Sequence, residues 1–472
     1  MNNPLQTRSP DAPRVVIVGG GLAGMAAAAA LVTRGARVTL LESRRRLGGR
    51  AGSYVDRETG ELIDHCQHVA MGCCTNYLDF CRQTGIDQLF ARYTELHFFG
   101  PDGRRCDFRP ASWLPAPLHL LPALWGLKYL TNSCRVAICR AMLRLAREPV
   151  TAEDPTTMLD WLDGRAQPAA AIELFWQPVL VSALGDTLDR VSVAASRKVF
   201  VDGFMGAREA SHMLVPKTSL EELYDGRAAE WLRRQGVDVR LETAVERVTV
   251  RADGRVAGVQ LGGGGTLPAD FVVVAVPWRK VTELLPENPL LEPLHRARQL
   301  QSAPITGVHL WFDRPLFDLP QAVLVGRLSQ WVFRRSFQDT DAAWYCQVVI
   351  SGSHELEGRP RQAVLDEVLS DLANAWPAAR EAKLLRWKII SEPESVFSMQ
   401  PGAESLRPGQ RTAMPGLLVA GDWTRTGWPA TMEGAVRSGY LAAEAVLEDV
   451  GRFEQVLAPD LPREWLARWV LP

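Results

Sequence analysis

Arg14-Val15-Val16-Ile17-Val18 runs directly into Gly19-Gly20-Gly21-Leu22-Ala23-Gly24, and an alanine-rich stretch follows to Val32. The apolar run of β-branched residues predicts a buried strand, the glycines a tight turn, and Leu22 to Val32 a helix. Gly19 permits the turn, Gly21 lets backbone approach a pyrophosphate, and Gly24 lets helix and strand pack closely, with Ala23 between them in the first helical turn. The unpaired N–H groups of that helix start would then face phosphate. Arg34-Gly35-Ala36 ends the helix, Arg37 to Leu41 forms the next strand, and Glu42 stands 18 residues after Gly24. A carboxylate at that spacing accepts ribose hydroxyls and repels a 2′-phosphate, which disfavours NADP. The alternative, a glycine-rich turn of an unrelated α/β domain, does not account for strand, helix, second strand and acidic terminus in register.

The rest of the chain sets the frame for this unit. Its 472 residues exceed one ordinary domain, and 47% hydrophobic with 23% charged residues is a globular composition. With 53 Lys plus Arg against 54 Asp plus Glu, the net charge of -1 gives no electrostatic reason to expect nucleic acid. No two of the eight cysteines have C-x-x-C spacing, no metal-ligand cluster is visible, and neither a G-x-S-x-G elbow nor a Walker P-loop occurs. The cysteines read as reduced thiols of a cytoplasmic enzyme, and polar Met1 to Pro13 does not read as a secretion signal. Trp113 to Leu130 is apolar but carries three prolines, His119 and Lys128, which argues against a spanning helix.

Beyond Glu42, the run Glu42-Ser43-Arg44-Arg45-Arg46-Leu47-Gly48-Gly49-Arg50 resembles the E-x-x-x-R-x-G-G-R signature of the flavin-containing amine oxidase superfamily. Taken alone, the basic run has a second reading as a solvated surface loop. A second element stands near the other end, where Leu417 to Ala420 leads to Gly421-Asp422, and Pro429-Ala430-Thr431-Met432-Glu433-Gly434 opens a helix to about Glu448. The resemblance implies FAD, with phosphate and flavin contacts from Gly49 and Arg50, ribityl or pyrophosphate contact from Asp422 after Gly421, and a helix start at Thr431 and Met432 aimed at the flavin. A helix N-terminus suits the negative charge of reduced flavin. Val245, in Leu241 to Val248, matches the segment whose backbone meets adenine. No cysteine lies between Trp423 and Met432, so the expectation is non-covalent FAD.

The expected class is α/β: a Rossmann-like FAD-binding domain, discontinuous over 13–75, 213–285 and 412–450. Residues 76–212 and 286–411 would form an α+β substrate-binding domain, and 451–472 a tail that is either an interfacial or a docked helix. Asp64-His65-Cys66-Gln67-His68, the prolines of 113–130, Phe175-Trp176-Gln177-Pro178 and Gly427 to Gly434 resemble the hydroxysqualene dehydroxylase family across nearly the whole chain. Cys66 departs from that pattern, in which many relatives carry glycine, and bears on the space beside the flavin. The resemblance implies reduction of an allylic alcohol by hydride from flavin, with a polyisoprenoid substrate; no feature identifies the electron donor. His68 is the first candidate acid and Gln67 its orienting partner, while Phe175 and Trp176 could face developing positive charge. The apolar residues of 113–130, and Trp465 to Leu471, are either core or a patch on the inner face of the cytoplasmic membrane. Competing readings are a carotenoid or phytoene desaturase, an FAD-dependent amine oxidase, and a non-catalytic prenyl-binding protein of the same fold.

Overall fold

The computed structural model describes residues 12–339 and 343–471, so most of the expected N-terminal extension lies outside the described residues. The glycine turn sits at the centre of a five-stranded sheet in the order Asp238–Arg240, Arg37–Leu41, Arg14–Val18, Phe271–Val274, Leu417–Val419. Every pair in it is parallel. Strands buried on both faces read as continuous apolar runs, and Val15 to Val18 and Phe271 to Val274 are all buried. The sheet therefore assembles from three distant stretches of chain, the α/β arrangement expected of a dinucleotide fold.

Leu22–Val32 forms a helix that is buried on every side, which its alanines allow. The long helix Met432–Asp449 crosses it so closely that a Cβ on Gly439 would lie 2.2 Å from the Ala23 carbonyl oxygen. The helix Thr75–Thr84 also belongs here, because Tyr77, Phe80 and Cys81 share one core with Leu22–Val32 and Met432–Asp449. The expected boundary at residue 75 thus falls at the start of a helix packed on the dinucleotide half. Glu433, fully buried, fixes that packing by accepting hydrogen bonds from the Asn76 and Tyr77 amides, so it caps the neighbouring helix.

The second half is a seven-stranded mixed sheet, Leu384–Phe397, Ser302–Phe312, Trp344–Ser351, Trp331–Arg334, Gln321–Leu324, Leu96–Phe99, Arg105–Phe108. Helix Arg361–Ala375 covers one face through Val364, Leu365, Val368 and Leu372. Helices drawn from residues 118–211 lie on the other side. The PDGRR segment at 101–105 turns Leu96–Phe99 back into Arg105–Phe108. At the C-terminus, Trp465–Val470 is a short helix that buries Ala467 and leaves Trp465 and Trp469 exposed. All eight cysteines are unpaired.

His309, fully buried in the second sheet, is hydrogen-bonded through Nδ1 to the Tyr345 hydroxyl and through Nε2 to the Gln347 amide, and burial lowers its pKa to about 3. The folded pKa lies below the unfolded one, so this site favours folding above about pH 6.5 and increasingly opposes it as pH falls toward 3. The contribution lost by pH 5 is about 2 kcal/mol. Urea unfolding at pH 7 and 5 should therefore show a smaller acid loss for His309→Gln than for the wild-type chain. For Gly439→Ala we expect a loss of roughly 1–3 kcal/mol or more from forced helix separation, read as a lowered Tm.

Candidate active site

One cavity of about 1130 Å³ runs between the two sheets. That exceeds the roughly 300–1,000 Å³ of ordinary small-molecule sites, leaving room for a dinucleotide and a long second ligand. Its polar end begins at the glycine turn. Gly19, with φ +111°, makes the bend, and Gly24 is too close to the Gly19 carbonyl for any side chain, since a Cβ would sit 2.0 Å away. Gly24 therefore closes the turn from behind, whereas Gly19, Gly21 and Ala23 face the cavity. A Cβ on Gly21 would meet only the Gly49 Cα, at 3.9 Å, so the backbone here is open to a ligand.

Glu42 is held on both oxygens: Oε2 accepts from the Gly20 amide at 2.7 Å and Oε1 from the Arg44 amide at 2.8 Å. Ser43, Thr243, Ala244 and Val245 line the cavity around it, a pocket suited to a ribose and its base. Further along, Arg50 donates to Asp422 Oδ1 at 2.5 Å and to the Ser395 carbonyl at 2.8 Å, which ties the Gly49 loop to the end of strand Leu417–Val419. Gly421 donates to Ser438 Oγ, fixing that strand end on the helix behind it. Thr431 caps the helix by accepting from the Gly434 amide, and Met432 lines the cavity at the helix start, where unpaired N–H groups gather. Every cofactor residue expected from the sequence except Gly24 thus lines one cavity.

The loop after strand Leu62–Asp64 brings His65, Cys66, Gln67 and His68 to the same wall. Here the structure changes the chemistry expected of two of them. His68 Nδ1 donates to the Cys66 carbonyl at 3.0 Å, and burial pushes the pKa of the ring below its ordinary value. The imidazole is then neutral with Nε2 as acceptor, a poor proton donor near pH 7. Gln67 is engaged at both ends, donating from Nε2 to the His68 carbonyl at 2.9 Å and accepting from the buried guanidinium of Arg335. It anchors the loop and is not free to orient a ligand. Burial raises the Cys66 thiol to about 12, so its side chain acts as bulk on the cavity wall.

The far end is apolar. Leu120, Leu124, Phe175, Val179, Phe200 and Trp331 are among its walls. Phe175 lies within the cavity, but Trp176 is fully buried behind it with Nε1 donating to Gln167, which removes Trp176 from the reacting space. Residues 113–130 divide between core and surface: Ala116, Leu124, Leu127 and Leu130 are buried, while Trp113, Leu118, Leu121 and Trp125 are exposed. Lys198, which sequence reading missed, also lines the cavity, with its ammonium 5.1 Å from the Trp428 ring centroid and 3.4 Å from Asp202. Nothing in the run Arg197-Lys198-Val199 marks it, because its place depends on packing against the distant 428–432 segment. Elsewhere, Glu95, His97 and Asp107 bring possible ligand atoms within 4.8 Å, a grouping the sequence did not reveal. Arg109 and Arg105 already pair its carboxylates, at 2.6 and 2.7 Å.

Residues 22–447 match the family described as flavin containing amine oxidoreductase. The chain belongs to that family. It is 27% identical over 469 residues to 15-cis-phytoene desaturase of Solanum lycopersicum, covering 94% of this chain and 80% of the relative. It is 28% identical over 445 residues to hydroxysqualene dehydroxylase of Rhodopseudomonas palustris, covering 92% and 98%. Among solved structures, an oxidoreductase from Methanosarcina mazei superposes with a TM-score of 0.69 at 17% identity, covering 92% of this chain and 100% of that one. Putrescine oxidase bound to putrescine gives the same TM-score and identity, with 92% and 99% covered. The chain is an FAD-type oxidoreductase, and the open backbone at Gly21, the held Glu42 carboxylate and the helix start at Met432 fit that cofactor. Glu42→Ala should weaken FAD binding about tenfold to a hundredfold, the scale of a hydrogen bond to a charged group, as read by quenching of FAD fluorescence.

Proposed function

We propose that this enzyme reduces hydroxysqualene to squalene, a reductive dehydroxylation at an allylic carbon. The observation that carries the reading is the single cavity with a dinucleotide end and a long apolar end, in a chain that matches hydroxysqualene dehydroxylase of Rhodopseudomonas palustris over 98% of that protein. An apolar wall suits a hydrocarbon better than a small cation, which disfavours an amine oxidase; the FAD machinery disfavours a purely prenyl-binding role. Reduced FAD, held non-covalently, supplies the hydride.

The protein's own part is to hold the chain of the substrate, exclude water and deliver a proton to the departing oxygen. With His68 neutral, we assign the proton to Lys198 Nζ. Once Lys198 has given it up, the amine is uncharged and no longer opposes positive charge on the allylic carbon. The faces of Phe175 and Phe200, stacked with centroids 6.2 Å apart, favour that charge. His68 Nε2 and the Gln67 loop remain as the polar edge of the reacting space.

Leu118, Leu121 and Leu143 each line the cavity and are also exposed, which marks a mouth. Val470 joins the lining, so exposed Trp465 and Trp469 flank the region that carries exposed Trp113 and Trp125. Such a patch, around an opening to an apolar cavity, is suited to a membrane surface from which a polyisoprenoid enters. Among the described residues no helix is long and apolar enough to cross a membrane.

A second reading, carotenoid-type desaturation by oxidised FAD, is favoured by the phytoene desaturase relatives. The two separate in one anaerobic experiment. Chemically reduced enzyme with hydroxysqualene should regain oxidised-flavin absorbance and yield squalene; bleaching of oxidised enzyme by phytoene, without squalene formation in the first arm, moves the assignment to desaturation. Lys198→Met should lower the rate of that reoxidation by roughly a hundredfold, the usual scale of general acid catalysis, with FAD content unchanged. The double variant Trp125→Glu/Trp469→Glu should reduce the fraction floating with liposomes while leaving turnover of detergent-dispersed substrate intact.

A further inference from the structure

Arg335 follows strand Trp331–Arg334 of the seven-stranded sheet, yet its side chain reaches into the other half of the molecule. Nη2 donates to Asp64 Oδ2 and Nη1 to Gln67 Oε1, with Arg335 only 2% and Asp64 1% exposed. The other oxygen of Asp64 accepts from Ser53 Oγ at 2.5 Å and from the Leu220 amide at 3.1 Å. Gln67 passes the connection on to the His68 carbonyl, and His68 to the Cys66 carbonyl. One buried guanidinium from the seven-stranded sheet thus holds both the end of strand Leu62–Asp64 and the cavity loop that follows it.

Stability alone is a weak reason for such an arrangement. A buried ion pair gains little over apolar groups of the same shape, because desolvation offsets the attraction. This one even leaves Arg335 Nε without a partner. What the arrangement does supply is geometry: a planar fork offers two N–H groups at a fixed angle to two acceptors, Asp64 and Gln67, three residues apart on one segment, and so sets the path of the chain between them. The Gln67 amide then has its oxygen committed to Arg335, so its nitrogen must face the His68 carbonyl, and the backbone from His65 to Val69 is fixed. His68 also stands within electrostatic reach of Asp64, Arg335 and Arg50, the last of which ties the cofactor loop to Asp422.

We infer that Arg335 is the positioning residue of the cavity loop His65–Val69, holding the Gln67 amide and through it the His68 ring against the end of the cavity that receives flavin. Its effect on catalysis rests on the function proposed above; its effect on the loop does not. Loss of the fork should displace the His68 ring and the backbone carbonyls beside the flavin, and misplacement of about 1 Å can lower a rate by roughly a hundredfold.

The test uses the FAD-loaded protein in four forms: wild type, Arg335→Lys, Arg335→Met and the double variant Asp64→Asn/Arg335→Met. The single Arg335→Met leaves a buried carboxylate unpaired, and a lowered Tm is expected. The double variant removes both charges, while the side-chain amide oxygen it places at position 64 can still accept from Ser53 and Leu220, so Tm should return toward wild type. Amide exchange over residues 65–69 should nonetheless be about tenfold faster, and the visible circular dichroism of the bound flavin should differ from wild type. Arg335→Lys, with one point charge for two acceptors, should retain the Tm and lie between the two in exchange and dichroism; it supplies the readout if the double variant fails to fold. Where hydroxysqualene is turned over, kcat should fall with KM little changed. Wild-type exchange and flavin dichroism in a folded Arg335→Met, Arg335→Lys or double variant would overturn the inference and leave the pair a structural contact. Exchange and dichroism need no substrate, so a wild-type enzyme that binds FAD but ignores hydroxysqualene contradicts the proposed function and not this role of Arg335.

Discussion

The close crossing of two helices, Leu22–Val32 and Met432–Asp449, is the constraint on which the rest depends. Gly439 allows the second helix to lie against the Ala23 carbonyl, and the alanines of the first helix leave its whole surface free to be covered. That contact carries the end of strand Leu417–Val419 to the edge of the glycine turn, where Asp422 meets Arg50. Without it the N-terminal helix start and the C-terminal helix start would not open onto the same cavity. Two sets of unpaired N–H groups, more than 400 residues apart in the chain, become parts of one wall suited to an anion and a flavin.

The second sheet then acts as a lid over an apolar space. Its long strands turn Ile305, Ile390 and Val396 toward the cavity, and the helices of 118–211 close the remaining sides. Charge is concentrated at the dinucleotide end, where Glu42, Arg50 and Asp422 each have a fixed partner. Lys198 is held between the Trp428 ring and Asp202, close to the segment that leads into helix Met432–Asp449. The division of polarity within one cavity is what favours the substrate class proposed above, since the fold alone is shared by enzymes of different chemistry.

Much of the cofactor half was legible because its requirements are local. Gly19, Gly21 and Gly24 are needed by a turn six residues long, Glu42 by the next strand end, and Thr431 by a helix cap three residues from its partner. The wall formed by His65 to His68 was less legible. Arg335 acts on Asp64 and Gln67 across separations of 271 and 268 residues, which no spacing announces. His68 carries no mark of its protonation state in the sequence; burial and the Cys66 carbonyl set it. In 113–130, residues that pack inside and residues that reach solvent are chemically alike, so only the fold could divide Leu124 from Trp125. Trp176 and Phe175 are neighbours in sequence, yet only one of them faces the cavity.

Under the proposed function, FAD and a long hydrocarbon occupy opposite ends of one continuous cavity. The most direct measurement is an equilibrium titration of the FAD-loaded protein with squalene, following the flavin absorbance band and the amount of FAD retained after gel filtration. We expect saturable one-to-one binding, a perturbed flavin band and full retention of FAD. Displacement of FAD by squalene, or saturation without any change in the flavin band, would contradict it.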